Sequence, residues 1–284
     1  IPLDFTALGF AGDNLSRLRQ LLARPQGVVL VTGPTGSGKT TTLYAALHSL
    51  NSPERKILTV EDPVEYQLEG INQIQVRPGI GLNFADALRS ILRQDPDVIM
   101  VGEMRDLETA TIAVQAALTG HKVFSTLHTN DATSTITRLL DMGIEDYLVT
   151  STVSGVVAQR LIRTLCHACR EPYEADEAEA SILRQSATTN HQPDSQSDDG
   201  RMLLYRATGC SRCEQTGYWG RTCILELLTL SDRIRKAILD RADASALRSI
   251  ATEEGAISMY ADGLQKVLQG QTTLAEVQRA TSEA

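Results

Sequence analysis

The sequence has few aromatic residues, no excess of basic charge and no long apolar run. Aromatic side chains make up 4% of the 284 residues, and the formal net charge is −8 with a pI near 5.2. Proteins that bind nucleic acid usually present a basic face, and those that bind single strands stack the bases on aromatic rings. A nucleic-acid motor is therefore disfavoured, although an acidic composition does not exclude a local basic groove.

Membrane-spanning and secretory segments are also missing from the sequence pattern. No stretch approaches the roughly 18 consecutive apolar residues that a spanning helix needs. The first residues lack the basic-then-apolar pattern of a signal peptide. The predicted location is therefore the cytoplasm. With 42% hydrophobic and 22% charged residues, the chain can bury one large core and has length for a second, smaller unit.

Short apolar runs alternate with amphipathic segments through the first half of the chain. Strands are predicted at 27–33, 57–62, 98–101 and 122–127, and the helices between them are predicted to begin near Lys39, Asn83, Asp106 and Asp131. The run VIMV at 98–101 is apolar at every position, which is typical of a strand buried on both faces of a parallel sheet. This alternation predicts an α/β fold with a mostly parallel sheet.

The segment GPTGSGKT at 33–40 fits the phosphate-loop pattern and lies between a predicted strand and a predicted helix. In such a loop the backbone N–H groups face the phosphates, Lys39 reaches the β- and γ-phosphates, and the Thr40 hydroxyl coordinates Mg²⁺. The alternative is a glycine-rich turn that binds nothing. We predict that a nucleoside triphosphate binds here. The predicted contacts are Gly33, Pro34, Thr35, Gly36, Ser37, Gly38, Lys39, Thr40 and Thr41.

The strand VIMV ends in Gly102, where phosphate-loop enzymes often have an aspartate beside Mg²⁺. Glu103 is the next residue and lies at the carboxyl end of the strand, where ligands of open parallel sheets bind. Glu61 and Asp62 at the end of the second strand, and Glu65 just after it, are predicted to approach the same edge. The alternatives are a solvated loop carboxylate for Glu103 and a turn-opening Asp-Pro for Asp62.

Two CxxC pairs provide a second motif, at Cys166/Cys169 and Cys210/Cys213. Four thiolates in two chelating pairs suit tetrahedral Zn²⁺. Disulfides are the weaker interpretation in a cytosolic protein, and His167 is a spare ligand candidate. The polar segment near 185–201 has little to bury and is predicted to be a mobile loop. The fifth cysteine, Cys223, is interpreted as a small buried side chain.

Four motifs together resemble the secretion ATPase superfamily. GPTGSGKTTTLYA resembles its Walker A motif, ILTVEDPVEYQLEGINQIQV its Asp-box, LRSILRQDPDVIMVGEMRD its Walker B motif and GHKVFSTLHTND its His-box. Within the superfamily, EPYEAD and LYRATGC resemble the type II secretion assembly ATPases, the general secretion pathway protein E (GspE) family. The resemblance implies a RecA-like P-loop core with a small tetracysteine zinc-binding insertion and a C-terminal helical region.

The same resemblance implies roles for particular residues. A glycine followed by glutamate is usual in this Walker B strand, so Glu103 orders the Mg²⁺ site or the attacking water, with Glu61 and Glu65 as Asp-box carboxylates. Lys39 belongs to the catalytic set through the phosphate loop. His128, after the fourth strand, is implied to sense the γ-phosphate or to couple subunits. His121, before that strand, has the same two alternatives as His128: a functional role or a structural imidazole.

Three arginines have two interpretations. Arg89 and Arg93 are four residues apart and share a face of the predicted 84–94 helix, and Arg105 follows the Walker B strand. They form surface salt bridges, or they reach a neighbouring subunit or its nucleotide. The sequence does not decide between these alternatives.

The predicted organisation is a linker at 1–23, the ATPase core at 24–160, the tetracysteine subdomain at 161–228 and a helical subdomain at 229–284. The family resemblance implies a homohexamer, an inner-membrane partner of the GspL type bound through preceding domains, and a polytopic platform protein of the GspF type. Because those preceding domains are expected, the chain is interpreted as a C-terminal motor fragment that is peripheral to the inner membrane through partners.

The predicted function is ATP-driven pseudopilus assembly for type II secretion, with ATP, Mg²⁺ and Zn²⁺ as cofactors. The type IV pilus assembly ATPase is the near alternative, since it shares the motor and the metal motif. A nucleotide-binding scaffold without hydrolysis is a third hypothesis, against which Glu103 and Glu61 argue.

Overall fold

The computed structural model describes residues 3–187 and 202–282. Its main element is a seven-stranded sheet with strand order β3-β2-β4-β5-β1-β6-β9. These strands are β1 (Gly27–Thr32), β2 (Ile57–Glu61), β3 (Asn72–Gln75), β4 (Val98–Val101), β5 (Lys122–Leu127), β6 (Val153–Leu165) and β9 (Tyr218–Thr229). The pairs β1/β5, β1/β6, β2/β3, β2/β4 and β4/β5 are all parallel. The predicted α/β fold with a mostly parallel sheet is confirmed.

The central strands are buried along their whole length. Every residue of β1, β2, β4 and β5 is buried, because helices cover both faces of such a sheet. The structure begins and ends β4 and β5 at the predicted residues and shortens each of the first two predicted strands by one residue. The continuous apolar runs therefore located these strands well.

Helices are found before, between and after the strands. They are α1 (Phe5–Leu8), α2 (Gly12–Ala23), α3 (Lys39–Leu50), α4 (Phe84–Ile91), α5 (Leu107–Leu118), α6 (Ala132–Asp141), α7 (Asp146–Thr152), α8 (Glu177–Ala187), α9 (Asp232–Leu239), α10 (Ala244–Glu253), α11 (Met259–Leu268) and α12 (Leu274–Ser282). In the described parts of the chain, no helix is both long enough and apolar enough to span a membrane.

The predicted helix starts have a clear local cause. The side chains of Asn83, Asp106 and Asp131 each accept a hydrogen bond from the backbone N–H three residues later, which satisfies a donor that the first helical turn leaves unpaired. Lys39 also begins its helix as predicted, but there the preceding residue is Gly38, which has no side chain to cap the helix.

The chain divides into two compact units, Ile1–Gln159 with Glu226–Ala256, and Arg160–Leu225 with Ile257–Ala284. The first contains the central strands and the phosphate-loop segment. The second contains the four clustered cysteines and an antiparallel pair, β7 (Glu171–Glu174) and β8 (Leu203–Arg206). The four C-terminal helices are divided between the units, and the predicted domain boundaries stay a prediction. Most of the predicted loop at 185–201 lies outside the described residues.

Candidate functional site

The phosphate loop joins β1 to α3 and has a backbone that requires glycine. Gly33 has φ +145°, and a Cβ at this position would lie 2.4 Å from the carbonyl oxygen of Gln159. Gly38 has φ +88° and immediately precedes α3. Pro34, Thr35 and Gly36 are exposed, whereas Ser37 is buried. Gly38 to Thr41 are half-buried. The loop therefore presents an accessible tip above a firmly packed base.

The amine of Lys39 folds back over this loop. Its Nζ donates hydrogen bonds to the carbonyl oxygens of Gly33 (2.8 Å) and Pro34 (3.1 Å). Partial burial lowers the pKa of Lys39, and the negative charge of Glu103 partly opposes that shift. The predicted cation of the loop is thus partly desolvated, which strengthens its attraction for an anion, whereas the negative charge of Glu103 opposes an anion placed beside it.

Glu103 lies just beyond the end of β4, with its side chain 13% exposed. One carboxylate oxygen is 2.5 Å from a guanidinium nitrogen of Arg105, and the other is 3.6 Å from Nε2 of His128. Arg105 and His128 are themselves more than half exposed. The structure therefore brings Lys39, Glu103 and His128 to the carboxyl edge of the sheet, in segments that follow β1, β4 and β5.

Gly102 occupies a position with little room for a side chain. A Cβ there would lie 3.3 Å from the carbonyl oxygen of Val60 and 3.4 Å from the Cα of Glu61. The Gly102 N–H donates to Val60 O at 2.8 Å, and Thr126 Oγ1 donates to Gly102 O at 2.7 Å. The backbone of Gly102 is thus bonded to both neighbouring strands and has little space for a side chain. The acidic side chain is found one residue later, at Glu103.

Glu61 is buried in a hydrogen-bonded network. Its carboxylate accepts hydrogen bonds from Tyr44 OH, from Thr59 Oγ1 (2.5 Å) and from Gln73 Nε2 (3.0 Å). Burial and the hydrogen bond to Glu61 raise the pKa of Tyr44. Side chains of this chain therefore hold the carboxylate of Glu61, which is 2% exposed.

Glu65 lies in a different environment from Glu61. Glu65 is exposed, and its backbone N–H donates to Tyr44 OH at 3.3 Å. Asp62 is also exposed. The hydrogen bond and charge of Glu103 raise the pKa of Arg105, and the charge of Asp62 adds a smaller contribution in the same direction. The three acidic residues of this segment are thus separated into one buried carboxylate and two exposed ones.

The two histidines of the fourth-strand segment have different surroundings. His121 Nδ1 lies 2.9 Å from Ala116 O and 3.1 Å from Thr119 Oγ1, so the ring is bonded to the end of α5. This contact favours the structural interpretation of His121. His128 instead faces Glu103, in agreement with the alternative in which it belongs to the site.

Sequence patterns did not identify a group of threonines behind His128. Thr32 Oγ1, at the end of β1, lies 2.7 Å from Thr129 Oγ1 and also bonds to Thr129 N and Leu127 O. Thr129 Oγ1 in turn lies 2.6 Å from Thr135 Oγ1. These hydroxyls fix the segment that carries His128 to the strand that carries the phosphate loop. Threonines at strand ends are common, so no pattern in the sequence distinguishes these three.

The arginines are separated in the structure. Arg89 bonds to Glu108 at 2.5 Å and lies 3.4 Å from Asp86, which favours the surface salt-bridge interpretation for this residue. Arg93 is exposed. Only Arg105 of the three contacts a residue of the candidate site, through Glu103.

The four predicted metal ligands, Cys166, Cys169, Cys210 and Cys213, form one cluster in the second unit. Their sulfur atoms all lie within 4.8 Å of one another, with pairs at 3.9, 3.8 and 3.7 Å. A tetrahedron with Zn–S bonds of about 2.3 Å has edges of about 3.8 Å. The donor set and its spacing therefore fit zinc. His167, between the first pair, is exposed and does not belong to the cluster found among residues 3–187 and 202–282.

The surroundings of Cys213 favour its ionised, thiolate form. Burial opposes ionisation of Cys213, but N–H groups of Cys210 and Gly217 and the neighbouring thiols outweigh it and lower the pKa to about 6. Both N–H groups lie 3.2 Å from Cys213 Sγ. Burial raises the pKa of Cys223 to about 12, and this residue lies apart from the cluster as a buried side chain.

Comparison with known proteins gives a consistent result. The family model described as type II/IV secretion system protein matches residues 1–279. The chain is 56% identical over 286 aligned residues to a type II secretion system protein E of Xanthomonas campestris pv. campestris, covering 100% of this chain and 48% of the relative. It is 50% identical over 277 residues to the type IV pilus assembly ATPase PilB of Myxococcus xanthus, covering 98% and 48%.

The fold has relatives among solved structures. The crystal structure of the pilus retraction motor PilT with bound ADP matches with a TM-score of 0.67 at 31% identity, covering 99% of this chain and 67% of PilT. The chain spans about half the length of the two curated relatives that it matches.

Proposed function

The chain belongs to the type II/IV secretion system protein family, and from this premise we propose that it is the ATP-hydrolysing motor portion of a type II secretion assembly ATPase. Its role would be to drive pseudopilus assembly for export of folded proteins across the outer membrane. The convergence of Lys39, Glu103 and His128 at one edge of the sheet is the observation that carries the proposal. Identity above 50% to a type II secretion protein E supports the assignment to this system.

ATP would bind with its phosphates over the loop from Gly33 to Thr41. The accessible tip, the glycine backbone and the uncapped start of α3 all favour an anion at this position. Lys39 would exchange its hydrogen bonds to loop carbonyls for bonds to the β- and γ-phosphates. This exchange is cheap, because the amine already lies at the loop and needs no large movement.

Mg²⁺, when bound, would neutralise charge on the β- and γ-phosphates. Thr40 is half-buried at the start of α3 and would offer its hydroxyl to the ion, with Glu103 as the nearby carboxylate. Glu103 would also orient the attacking water, since Arg105 pairs with one of its oxygens and leaves the other, 3.6 Å from His128 Nε2, able to accept from water. Two roles are compatible with His128, a contact to the γ-phosphate or a restraint on Glu103.

The predicted Asp-box carboxylates would then act differently. Glu61 is surrounded by donors from Tyr44, Thr59 and Gln73, which supports a positioning role for β2 and the segment after it. Glu65 is exposed and would be the one of these two Asp-box carboxylates that can approach bound nucleotide. The catalytic assignment of both residues is part of the proposal.

Zinc would bind at Cys166, Cys169, Cys210 and Cys213 and would hold the second unit together. Four thiolates leave no open coordination position, so the role is structural.

The whole protein is proposed to work as a homohexamer, peripheral to the inner membrane through a GspL-type partner and a GspF-type platform protein. Arg105, Arg89 or Arg93 would supply charge to a neighbouring subunit only in that assembly.

The type IV pilus assembly ATPase is the second candidate function, because PilB is 50% identical to the chain. Reciprocal domain replacement tests the two candidates. The matching half of the Xanthomonas relative is replaced by this chain and secreted enzyme activity is measured. The same replacement in the Myxococcus relative is scored by surface pili. Restored secretion without restored piliation supports the first proposal, and the reverse result supports the second.

A further inference from the structure

Gln159, in the middle of β6, packs against the base of the phosphate loop. Its Nε2 donates a hydrogen bond to Ser37 O at 2.8 Å, and its Oε1 accepts one from Thr42 Oγ1 at 2.8 Å. Gln159, Ser37 and Thr42 are all at least 97% buried. The backbone oxygen of Gln159 also lies only 2.4 Å from the position that a Cβ of Gly33 would take. One residue of a neighbouring strand thus bonds to the loop at Ser37 and to α3 at Thr42, and its backbone lies close to Gly33.

The orientation of this amide is fixed by its partners. A carbonyl oxygen can only accept, so the NH₂ end of Gln159 must face Ser37. Thr42 then supplies the donor for the other end. In the described part of the chain the Ser37 hydroxyl has no hydrogen-bond partner, so it does not help to hold the residue. Ser37 is held by its backbone, through Gln159 and through a bond from its N–H to Pro34 O at 3.2 Å.

Because the peptide group is planar, the contact with Ser37 O also sets the direction of the next N–H group, that of Gly38. The C=O of Ser37 and the N–H of Gly38 belong to one planar trans peptide and point in opposite directions. Because Ser37 O is held inward toward Gln159, the N–H of Gly38 is directed outward, away from β6. Outward N–H groups of such a loop are the groups that cradle phosphates.

We propose that Gln159 is a positioning residue of the phosphate loop, which aims the Gly38 N–H at the phosphates by holding the Ser37–Gly38 peptide. The inference deepens the proposed function and rests on it, since it assumes that nucleotide phosphates bind this loop. Thr42 is the second member of the device, because its hydroxyl sets which end of the amide faces Ser37.

The structure distinguishes this role from that of an ordinary core glutamine. A glutamine that only stabilises the fold would affect all ligands of the site alike when it is changed. A residue that orients one phosphate-facing N–H affects ligands with a phosphate at that position and spares the others. A larger loss of affinity for ADP than for AMP in the variant is therefore the signature of a positioning role.

The experiment compares the full chain with three variants, Gln159→Glu, Thr42→Val and the control Gln115→Glu. Gln159→Glu keeps the shape and replaces the donor to Ser37 O by an acceptor. Thr42→Val keeps the volume and removes the hydroxyl. Gln115 is exposed on α5, so its variant makes the same charge change away from the loop. Fluorescent N-methylanthraniloyl derivatives of ATP, ADP and AMP are titrated with each protein, and nucleotide-free melting is recorded.

We expect Gln159→Glu to weaken ATP and ADP binding by about 10- to 100-fold, consistent with the loss of one or two hydrogen bonds to a charged ligand. Affinity for the AMP derivative should change less than about threefold. Thr42→Val should weaken ADP binding by about threefold, and Gln115→Glu should match the wild-type chain.

Two results would overturn the inference. One is equal ADP affinity in the wild-type chain and Gln159→Glu, and the other is an equal loss for ADP and AMP. If Gln159→Glu does not fold, Thr42→Val decides, and unchanged ADP affinity in that folded variant rejects the device. A wild-type chain that binds none of the three nucleotides would instead reject the proposed function, and with it the premise of the inference.

Discussion

The phosphate-loop edge of the first unit and the cysteine cluster of the second are both built from short motifs, yet they hold their functional groups in opposite ways. At the loop, Pro34 to Gly36 are exposed and Lys39 rests on carbonyl oxygens that it can leave. In the cluster, four sulfurs lie within 4.8 Å of one another and two of the cysteines are buried. An open arrangement suits a ligand that binds and departs, whereas a closed one suits a permanent ion.

The comparison also separates activity from stability. Groups at the loop edge are partly paired with one another, as the 13% exposed Glu103 is with the largely exposed Arg105. Their replacement should change chemistry with little effect on folding. Groups of the cluster are surrounded by backbone donors and by one another, so their loss should change folding first.

The largest expected effect is on turnover at the loop edge. Lys39→Ala should reduce ATP hydrolysis by about 10³-fold or more, because the loop loses the cation that meets the transferring phosphate. Glu103→Gln should reduce turnover by about 10²-fold or more while nucleotide affinity stays nearly unchanged, since it keeps shape and removes charge. Steady-state hydrolysis and nucleotide titration measure both.

Melting of the same two variants completes that test. Both should unfold within about 2 °C of the wild-type chain. Loss of nucleotide binding in Glu103→Gln would assign Glu103 to the phosphate cradle. A large drop in melting temperature would show that the loop edge is as important for folding as the cysteine cluster.

The next effect is on stability at the cluster. We expect about one Zn²⁺ per chain in protein purified without a metal-affinity tag, by elemental analysis. Chelation or Cys213→Ser should cost about 3 to 5 kcal/mol and lower the melting temperature by roughly 10 °C. Cys223→Ser should retain the metal, because Cys223 lies outside the cluster. A folded, metal-free chain with unchanged melting would contradict the structural role.

A smaller effect is expected at Gly102, where a change can affect both activity and stability. Gly102→Asp would return a carboxylate to the usual end of this strand, but the added atoms approach Val60 O and Glu61 Cα. We expect a loss of about 1 to 3 kcal/mol in denaturant unfolding and no gain in turnover when it is combined with Glu103→Gln. Gly79→Ala is the control, since a Cβ at Gly79 meets nothing within 4 Å. A rescued double variant would contradict the steric explanation.

The smallest effect concerns Glu276, in the second unit. Burial alone would raise its pKa, but hydrogen bonds from Arg279 and Arg163 outweigh this and lower the pKa to about 2. A lowered folded-state pKa contributes stability that is present above the unfolded value, near 4.5, and is lost as the pH falls toward 2. Because both arginines are half exposed, we expect only about 1 kcal/mol from Glu276→Gln at pH 7.

Urea unfolding at pH 7 and near pH 2.5 measures this contribution. The difference between wild type and Glu276→Gln should shrink at the lower pH. Glu177→Gln, in an exposed pair with Arg184, should show no difference at either pH. A Glu276→Gln effect that is independent of pH would mean that packing, rather than charge, stabilises this position.

Much of the fold could be predicted from the sequence where local pattern is sufficient. The continuous apolar runs located β1, β2, β4 and β5, and single capping residues located the starts of α4, α5 and α6. The prediction was incomplete where strands are long and mixed. Neither the long strand β6 nor β9 was predicted, although β6 pairs with β1 and carries Gln159. The segment from Ser231 forms two helices, α9 and α10, because Asp243 begins a second helix by capping it.

The sequence by itself determined the phosphate loop, the position of Glu103 one residue after Gly102 and the two CxxC pairs, because each of these motifs consists of residues that are close together in the chain. Only the tertiary structure decided that Glu61 is enclosed by donors, that Gly102 has little room for a side chain, and that Thr32 and Gln159 contact the segments of the loop edge through hydrogen bonds. Apart from the bond between Thr59 and Glu61, these properties depend on contacts between residues separated by 12 to 122 positions, and no local pattern records which distant side chain will occupy the space.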